Sequence, residues 1–271
     1  MKKLFNFFTI LAFLGCSTYF VKAQSSVEGG VIVMPQFTAL LNTQDFAAGK
    51  DLDYSLTTGF AGGLSGAYNF NNHVGIEINL ILSSQGEKYK GNLNYYKFNG
   101  ADTTSYASIV AFQAGAGYSP SNQSWPAADT AFTAKVSLTY LKIPILFKLT
   151  SNSDKSAFFY MNIGPEFNIL VSATQTLNGS DFSYSTYNFT TKQLYKSSGI
   201  DLVLNLGAGF HLSSNLILTT QINFDYGLTD AENKSFVIPG TSSHAFPSNR
   251  STNPNGTAGL RLGLAYKFGS S

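Results

Sequence analysis

This sequence predicts an all-β fold: an eight-stranded antiparallel up-and-down transmembrane β-barrel with short periplasmic turns and long extracellular loops. Three observations predict it. Apolar and polar residues alternate with period two along the chain after residue 23, with no convincing helical period. Long and short connections between these segments alternate strictly. Charged residues make up only 12% of the 271, about half the usual share, while aromatics reach 14%. A chain folded for water exposes more charge than this.

The first element is not a strand. Met1-Lys2-Lys3 is a basic start, Leu4 to Gly15 is almost wholly apolar, and Val21-Lys22-Ala23 offers small residues to a peptidase. This predicts a secretory signal over 1–23 and a barrel domain over 24–271. No later segment reaches the roughly 18 apolar residues of a spanning helix. The only cysteine, Cys16, falls inside the signal, so the mature chain forms no disulfide. Lipoprotein processing at Phe13-Leu14-Gly15-Cys16 is the alternative, with Phe standing where Leu is usual. Cleavage removes Lys2, Lys3 and Lys22 and leaves 14 basic against 15 acidic residues, a charge of −1 with histidine neutral. That balance argues against a nucleic-acid partner.

Strands are expected at 27–37, 59–70, 74–86, 135–150, 158–173, 199–212, 216–227 and 257–268. Each is 11 to 16 residues long, enough for a tilted strand to cross a bilayer, which takes about 9 to 11. Asn71-Asn72-His73, residues 151–156 and Ser213-Ser214-Asn215 read as tight turns. The connections 38–58, 87–134, 174–198 and 228–256 read as long loops rich in Gly, Ser, Thr, Asn, Tyr and Pro. Alternating short turns and long loops belong to an even-stranded outer-membrane barrel.

The faces follow in order. In the third segment Val74, Ile76, Ile78, Leu80 and Leu82 oppose Glu77 and Asn79. In the fourth, Leu141, Ile143, Ile145, Phe147 and Leu149 oppose Lys142 and Lys148. In the sixth, Ile200, Leu202, Leu204, Leu206, Ala208, Phe210 and Leu212 oppose Asp201, Asn205, Gly207, Gly209 and His211. Ile222, Phe224 and Tyr226 oppose Asn223 and Asp225, and Leu260, Leu262, Leu264, Tyr266 and Phe268 oppose Arg261 and Lys267. One face is bulky and apolar, the other small, polar and charged. Lysine is almost never fully buried without a partner. Lys142 and Lys148 therefore belong in a polar lumen with Glu77, Glu166, Asp201 and Asp225, and the apolar face meets lipid. An eight-stranded barrel has an interior just wide enough for side chains. The expected network of Glu77, Lys142, Lys148, Glu166, Asp201, Asp225, Arg261 and Lys267 thus fills the lumen and leaves no wide pore. Tyr68, Phe70, Phe147, Phe159, Phe210, Tyr266 and Phe268 share the outward face near the short turns, where an aromatic girdle belongs. Pro35, Pro144 and Pro165 fall inside strands and are expected to sit in local bulges.

The segments "YLKIPILFKL", "FFYMNIGPEFNILVSA", "IDLVLNLGAGFHL" and "LRLGLAYKFG" together resemble the PorT-type outer-membrane β-barrel family. The resemblance covers essentially the mature chain and leaves the long loops unmatched. It implies an eight-stranded barrel in the outer membrane of a Gram-negative bacterium, in a family whose founding member is linked to a secretion apparatus. It also implies that the closing strand, through Tyr266 and Phe268, is an assembly signal read by the barrel-insertion machinery. Gly269-Ser270-Ser271 extends past the usual end.

Nothing in the residues assembles into a catalytic site. His73 and His211 fall near short turns, and Ser243-His244 shares the last long loop with Asp230 and Glu232, a combination common in polar loops. No Cys or His cluster has metal-ligand spacing. Asp51-Leu52-Asp53 offers two carboxylates, too few for a cation site. Gly62-Gly63 and Gly207-Ala208-Gly209 lie within strands and precede no helix, so they are not phosphate loops. The second long loop carries Tyr95, Tyr96, Tyr106, Phe112, Tyr118 and Trp125, residue types enriched at protein interfaces. The reading is a non-enzymatic outer-membrane barrel without cofactors, acting as a structural or interaction protein of the cell envelope or of a secretion system. Its partners are outer-membrane lipid, the insertion machinery and a protein held by the long loops. The alternative is a secreted lipocalin-like barrel binding a small apolar ligand; a barrel enzyme is the third reading.

Overall fold

The computed structural model describes residues 25–43, 52–92, 131–179, 187–190, 192–237, 244, 246 and 251–268. Its strands in chain order are β1 (Ser26–Leu40), β2 (Leu52–Asn69), β3 (Val74–Asn92), β4 (Ala131–Thr150), β5 (Ala157–Gly179), β6 (Tyr187–Thr190), β7 (Ser198–His211), β8 (Leu216–Gly227) and β9 (Asn255–Phe268). All pairings are antiparallel. Each strand pairs with the next along the chain, except that β6 pairs with β5 alone and β7 pairs with β5 in its place. β1 closes the circle, since Val27 lies opposite both Tyr68 of β2 and Phe268 of β9. The eight long strands form a closed barrel with no free edge. The signal predicted over 1–23 lies outside the described residues.

Three connections share one end of the barrel, at 70–73, 151–156 and 212–215. Their polar residues make the turns. Asn71 Oδ1 accepts from the backbone N–H of His73 at 2.8 Å and of Val74 at 2.9 Å, which is the Asx-turn geometry that favours asparagine. Ser213 Oγ likewise accepts from Leu216 N at 3.2 Å. Much of the chain linking the strands at the other end lies outside the described residues, including 93–130.

The eight long strands run from 12 to 23 residues, against the 11 to 16 expected. Residues 52–58, 87–92, 131–134 and 174–179, expected as loop, continue β2 to β5. The short β6 was not foreseen. It pairs Tyr187–Thr190 with Leu177–Thr174, beyond Ile169, the last β5 residue that faces β7. These extensions are rich in Ser, Thr, Gly, Lys and Asn. That composition reads as loop, but the backbone pairs whatever the side chains are.

The prolines correct a second expectation. None sits in a bulge. The β1–β9 ladder skips Met34 and Pro35 and resumes in the same register, from Val33↔Leu262 to Gln36↔Gly259. The β3–β4 ladder likewise skips from Ile78↔Ile145 to Ile81↔Lys142 across Pro144. A missing N–H deletes a bond without demanding an extra residue, so the register holds. The register shifts lie instead between Leu56 and Ala61 in β2, and at Thr139/Tyr140 in β4.

Burial follows strict alternation with inverted polarity. Phe159 is 75% exposed and Phe60 57%, whereas Lys142 is 2% and Asn162 0% exposed. The interior is not wholly polar. Ile32, Met34, Ala61 and Ile81 form one apolar layer inside the barrel, and Phe158, Tyr160 and Ile217 form another. Gly209 makes room for the second. A Cβ there would come within 2.3 Å of the Phe158 ring.

Candidate functional site

The charged interior is the chemical centre of the molecule, and it divides into two groups along the barrel. Near the middle, Lys142 of β4 reaches across the lumen. Its Nζ is 2.7 Å from Glu166 Oε1 of β5 and 3.6 Å from Asp201 Oδ2 of β7, and it also bonds Asp225 of β8. All four side chains are at least 96% buried. Alternation puts each on the inner face, and barrel closure converges four strands on one ammonium.

Closer to the short turns lies the second group. Arg261 Nη2 donates to Glu77 Oε1 at 2.6 Å, while Asn79 and Asn162 donate to the same carboxylate at 2.9 Å each. Glu77 is thus held by three donors, the arrangement a buried carboxylate requires. Lys148 Nζ meets Glu28 Oε2 at 2.8 Å, and Asn69 donates to Glu28 Oε1 at 2.7 Å. Between the groups Asn223 donates to Asn205 at 2.7 Å.

The eight residues named from the sequence therefore fall into several sets. Lys142, Glu166, Asp201 and Asp225 come together. Glu77 joins Arg261 and not the lysines. Lys148 takes a partner that sequence reasoning missed, Glu28 of β1, which shares the inner face with Ile32 and Met34. The signal was there, because Glu28 has inward parity within the 27–37 segment. Lys267 stands at the rim, 3.8 Å from Asp154, a half-exposed turn residue. Tyr266 and Phe268 stack edge-on at 4.9 Å on the outer face beside the short turns. Tyr68, Phe70, Phe147, Phe159 and Phe210 are exposed near the same end. Tyr95, Tyr96, Tyr106 and Trp125 lie outside the described residues.

The lumen leaves little space. Two cavities of about 20 and 30 Å³ lie inside it and share Ile32 and Arg261 in their walls. Each is the size of a water molecule. Among the described residues, Glu166, Asp201 and Asp225 are the one carboxylate group compact enough for a metal, with ligand oxygens within 4.8 Å of one another. The Lys142 ammonium contacts all three, so a side chain already supplies the positive charge they require.

The histidines do not gather into a site. His211 Nε2 contacts Ser153 O at 2.7 Å, and His73 Nδ1 contacts Thr150 O at 3.1 Å, so both brace short turns. Asp230 pairs with Lys234 at 2.8 Å and accepts from Asn253 N at 3.0 Å, while His244 is exposed in a bridge to Val237. Ser243 lies outside the described residues.

The family whose model the chain matches agrees with the barrel architecture. A family model described as outer membrane protein beta-barrel domain matches residues 22–233. Among solved structures, the outer membrane protein OprG from Pseudomonas aeruginosa is 11% identical, with 92% of this chain and 97% of that chain covered and a TM-score of 0.41. Neisserial surface protein A is 11% identical, with 91% and 98% covered and a TM-score of 0.37. A major outer membrane protein from Thermus thermophilus is 17% identical, with 88% and 99% covered and a TM-score of 0.39. No curated protein matches the chain.

Proposed function

From the premise that the chain belongs to the outer membrane protein beta-barrel domain family, we propose that it is a non-enzymatic barrel of the Gram-negative outer membrane, with a structural or protein-interaction role in the cell envelope. One observation carries this reading: the closed barrel is inside out. Large apolar side chains such as Leu64, Leu82, Ile222 and Leu260 are exposed, and the lysines, arginine and carboxylates between them are buried. Hydrocarbon outside and paired charge inside is the stable arrangement for such a wall. A lipocalin-like barrel would need the reverse, an apolar interior with room for a ligand.

In this reading the short turns face the periplasm and the long connections face outward. The protein is exported with cleavage after Ala23. Tyr266 and Phe268 on the closing strand are offered to the insertion machinery, and the PorT-type resemblance supports a place near a secretion apparatus. The loop carrying Tyr95, Tyr96, Tyr106 and Trp125 is the surface offered to a protein partner. The water-sized cavities support a filled lumen over a wide pore.

The test is a detergent gel of washed outer-membrane fractions, with and without boiling. A folded barrel resists the detergent until heated, so the unboiled band is expected to migrate apart from the boiled one. Recovery in the soluble periplasm with no band shift would overturn the reading.

A further inference from the structure

The middle of the lumen holds more acid than its base can balance. Toward the short turns the charges match, Glu77 with Arg261 and Glu28 with Lys148. In the middle, Lys142 is one ammonium among Glu166, Asp201 and Asp225. That ammonium suffices only if the three carboxyl groups are not all ionised, because one positive against three negative charges leaves a formal −2. The register sharpens the conflict. Glu166 of β5 lies directly opposite Asp201 of β7, and like charges facing each other across a strand pair are destabilising. Oxygens of all three carboxyl groups lie within 4.8 Å of one another. Among the described residues, the other walls bring no second free cation. β1, β2 and β3 present Ile32, Met34, Ala61 and Ile81 there, and Arg261 of β9 is bound to Glu77. Tyr140, the next inward residue of β4, is buried and adds no positive charge.

Buried like charges that share a site are relieved by keeping a proton. The distances say where it sits. Glu166 is 2.7 Å from the ammonium and Asp225 is bonded to it, while Asp201 stands furthest away at 3.6 Å. Asp201 gains least from the ammonium and faces a second acid across the ladder. A further feature points to the same place. The cavity of about 20 Å³ beside the cluster is lined by Lys142, Glu166 and Asp225 together with Asn205 and Asn223. Asn223 donates to Asn205, which leaves Asn205 Nδ2 and Asn223 Oδ1 without partners on side chains no more than 5% exposed. A donor, an acceptor and two carboxylates around a water-sized space give a proton a route for exchange.

We infer that the Lys142 cluster is a proton-binding site that makes the barrel sensitive to pH, with the proton on Asp201 donated to a neighbouring carboxylate oxygen. When it leaves, the proton passes to water and Asp201 becomes a third carboxylate on a single ammonium. The inference goes beyond the envelope role proposed above and rests only on the closed barrel. Its sign follows from linkage. An aspartate in the unfolded chain releases its proton near the ordinary value of about 3.9. The folded barrel keeps that proton to higher pH. Between those two points the folded state binds more protons than the unfolded one, so raising the pH removes stability. One proton is worth about tenfold in the folding constant for each pH unit, until the folded site ionises as well.

The test uses full-length protein refolded in detergent, with the heat-dependent band shift scored first. Urea titrations then give the folding constant at steps from about pH 5 to about pH 9, a range that starts above the ordinary carboxyl values. Asp201→Asn keeps a hydrogen-bond donor but cannot titrate. Relative to it, wild type should lose about tenfold per pH unit in the lower part of the range and then level off. Asp154→Asn, at a half-exposed turn carboxylate, should keep the wild-type slope. Infrared spectra of the folded barrel supply a readout that does not depend on unfolding. At neutral pH they should contain the carbonyl stretch of a protonated carboxylic acid. That band should move with isotope-labelled aspartate, and it should vanish at alkaline pH and in Asp201→Asn. Equal slopes in wild type and Asp201→Asn, or a folded barrel with no aspartic acid band at neutral pH, would each overturn the site. If Asp201→Asn does not fold, the spectrum of wild type with labelled aspartate decides. A band shift without the acid signal sinks only this inference, whereas absence of the shift sinks the membrane reading with it.

Discussion

At the scale of single residues, Lys142 is the side chain on which most depends. It is 2% exposed and faces three carboxylates from three other strands. Removing one partner of a buried ionic group strands the rest, which typically costs about 3 to 5 kcal/mol. Lys142→Ala is therefore expected to destabilise the heat-resistant form by that amount, read from the urea midpoint for its loss. Adding Glu166→Gln and Asp225→Asn should recover much of the loss. A single variant as stable as wild type would show that the carboxylates find other compensation. The sequence marked all four residues as inward, because parity along a strand is fixed by the pleat. Which acid each base would meet was not legible. Lys148 and Glu28 are 120 residues apart, and their meeting follows only from closure of the ring. Packing set a smaller constraint of the same kind. Gly209→Leu is expected to drive a side chain into Phe158 and lower the same midpoint, while Gly66→Ala, whose added Cβ would have only one neighbour within 4 Å, at 3.8 Å, should change it little.

At the scale of the strand, each element has one face for lipid and one for the lumen, and the two tolerate different substitutions. Ile78 is 50% exposed within the apolar outer stretch of β3 that runs from Ile76 to Leu82, and the adjacent Asn79 is 2% exposed. Arginine on the lipid face near the midplane costs about 2 to 4 kcal/mol. Ile78→Arg should thus reduce folded barrel in membranes and lower its midpoint, whereas Leu56→Arg, at the end of β2 far from the short turns, should cost less than half as much. Equal penalties at both sites would argue against the placement of the apolar band. The strand centres were readable from the sequence because lipid enforces strict alternation there. The ends were not. Past the band both faces become polar, and a paired strand such as 87–92 then has the composition of a loop. The prolines misled for a related reason. Sequence shows that a donor is missing but not that the neighbouring strands hold register without it.

At the scale of the whole molecule, the barrel is closed by the pairing of β1 with β9, between segments more than 200 residues apart. No described barrel strand includes residues 100–125. Deleting them is expected to leave the heat-dependent band shift intact while abolishing capture of any partner held by that loop. Loss of the shift would mean that the loop takes part in folding. The filled lumen makes a second prediction: in planar bilayers the protein should carry no large, steady current, and a wide conductance would contradict the packing of Ile32, Met34, Ala61 and Ile81 against one another inside the barrel. The sequence by itself determined the all-β class, the number of long strands, the shared end of their short turns and the face each turned to lipid. Those properties are local, repeating every two residues against two fixed solvents. Only the tertiary structure decided which charges meet, where the strands end, and that β6 is added to β5. Each of these depends on the stagger between neighbouring strands and on closure of the ring, which no single segment encodes.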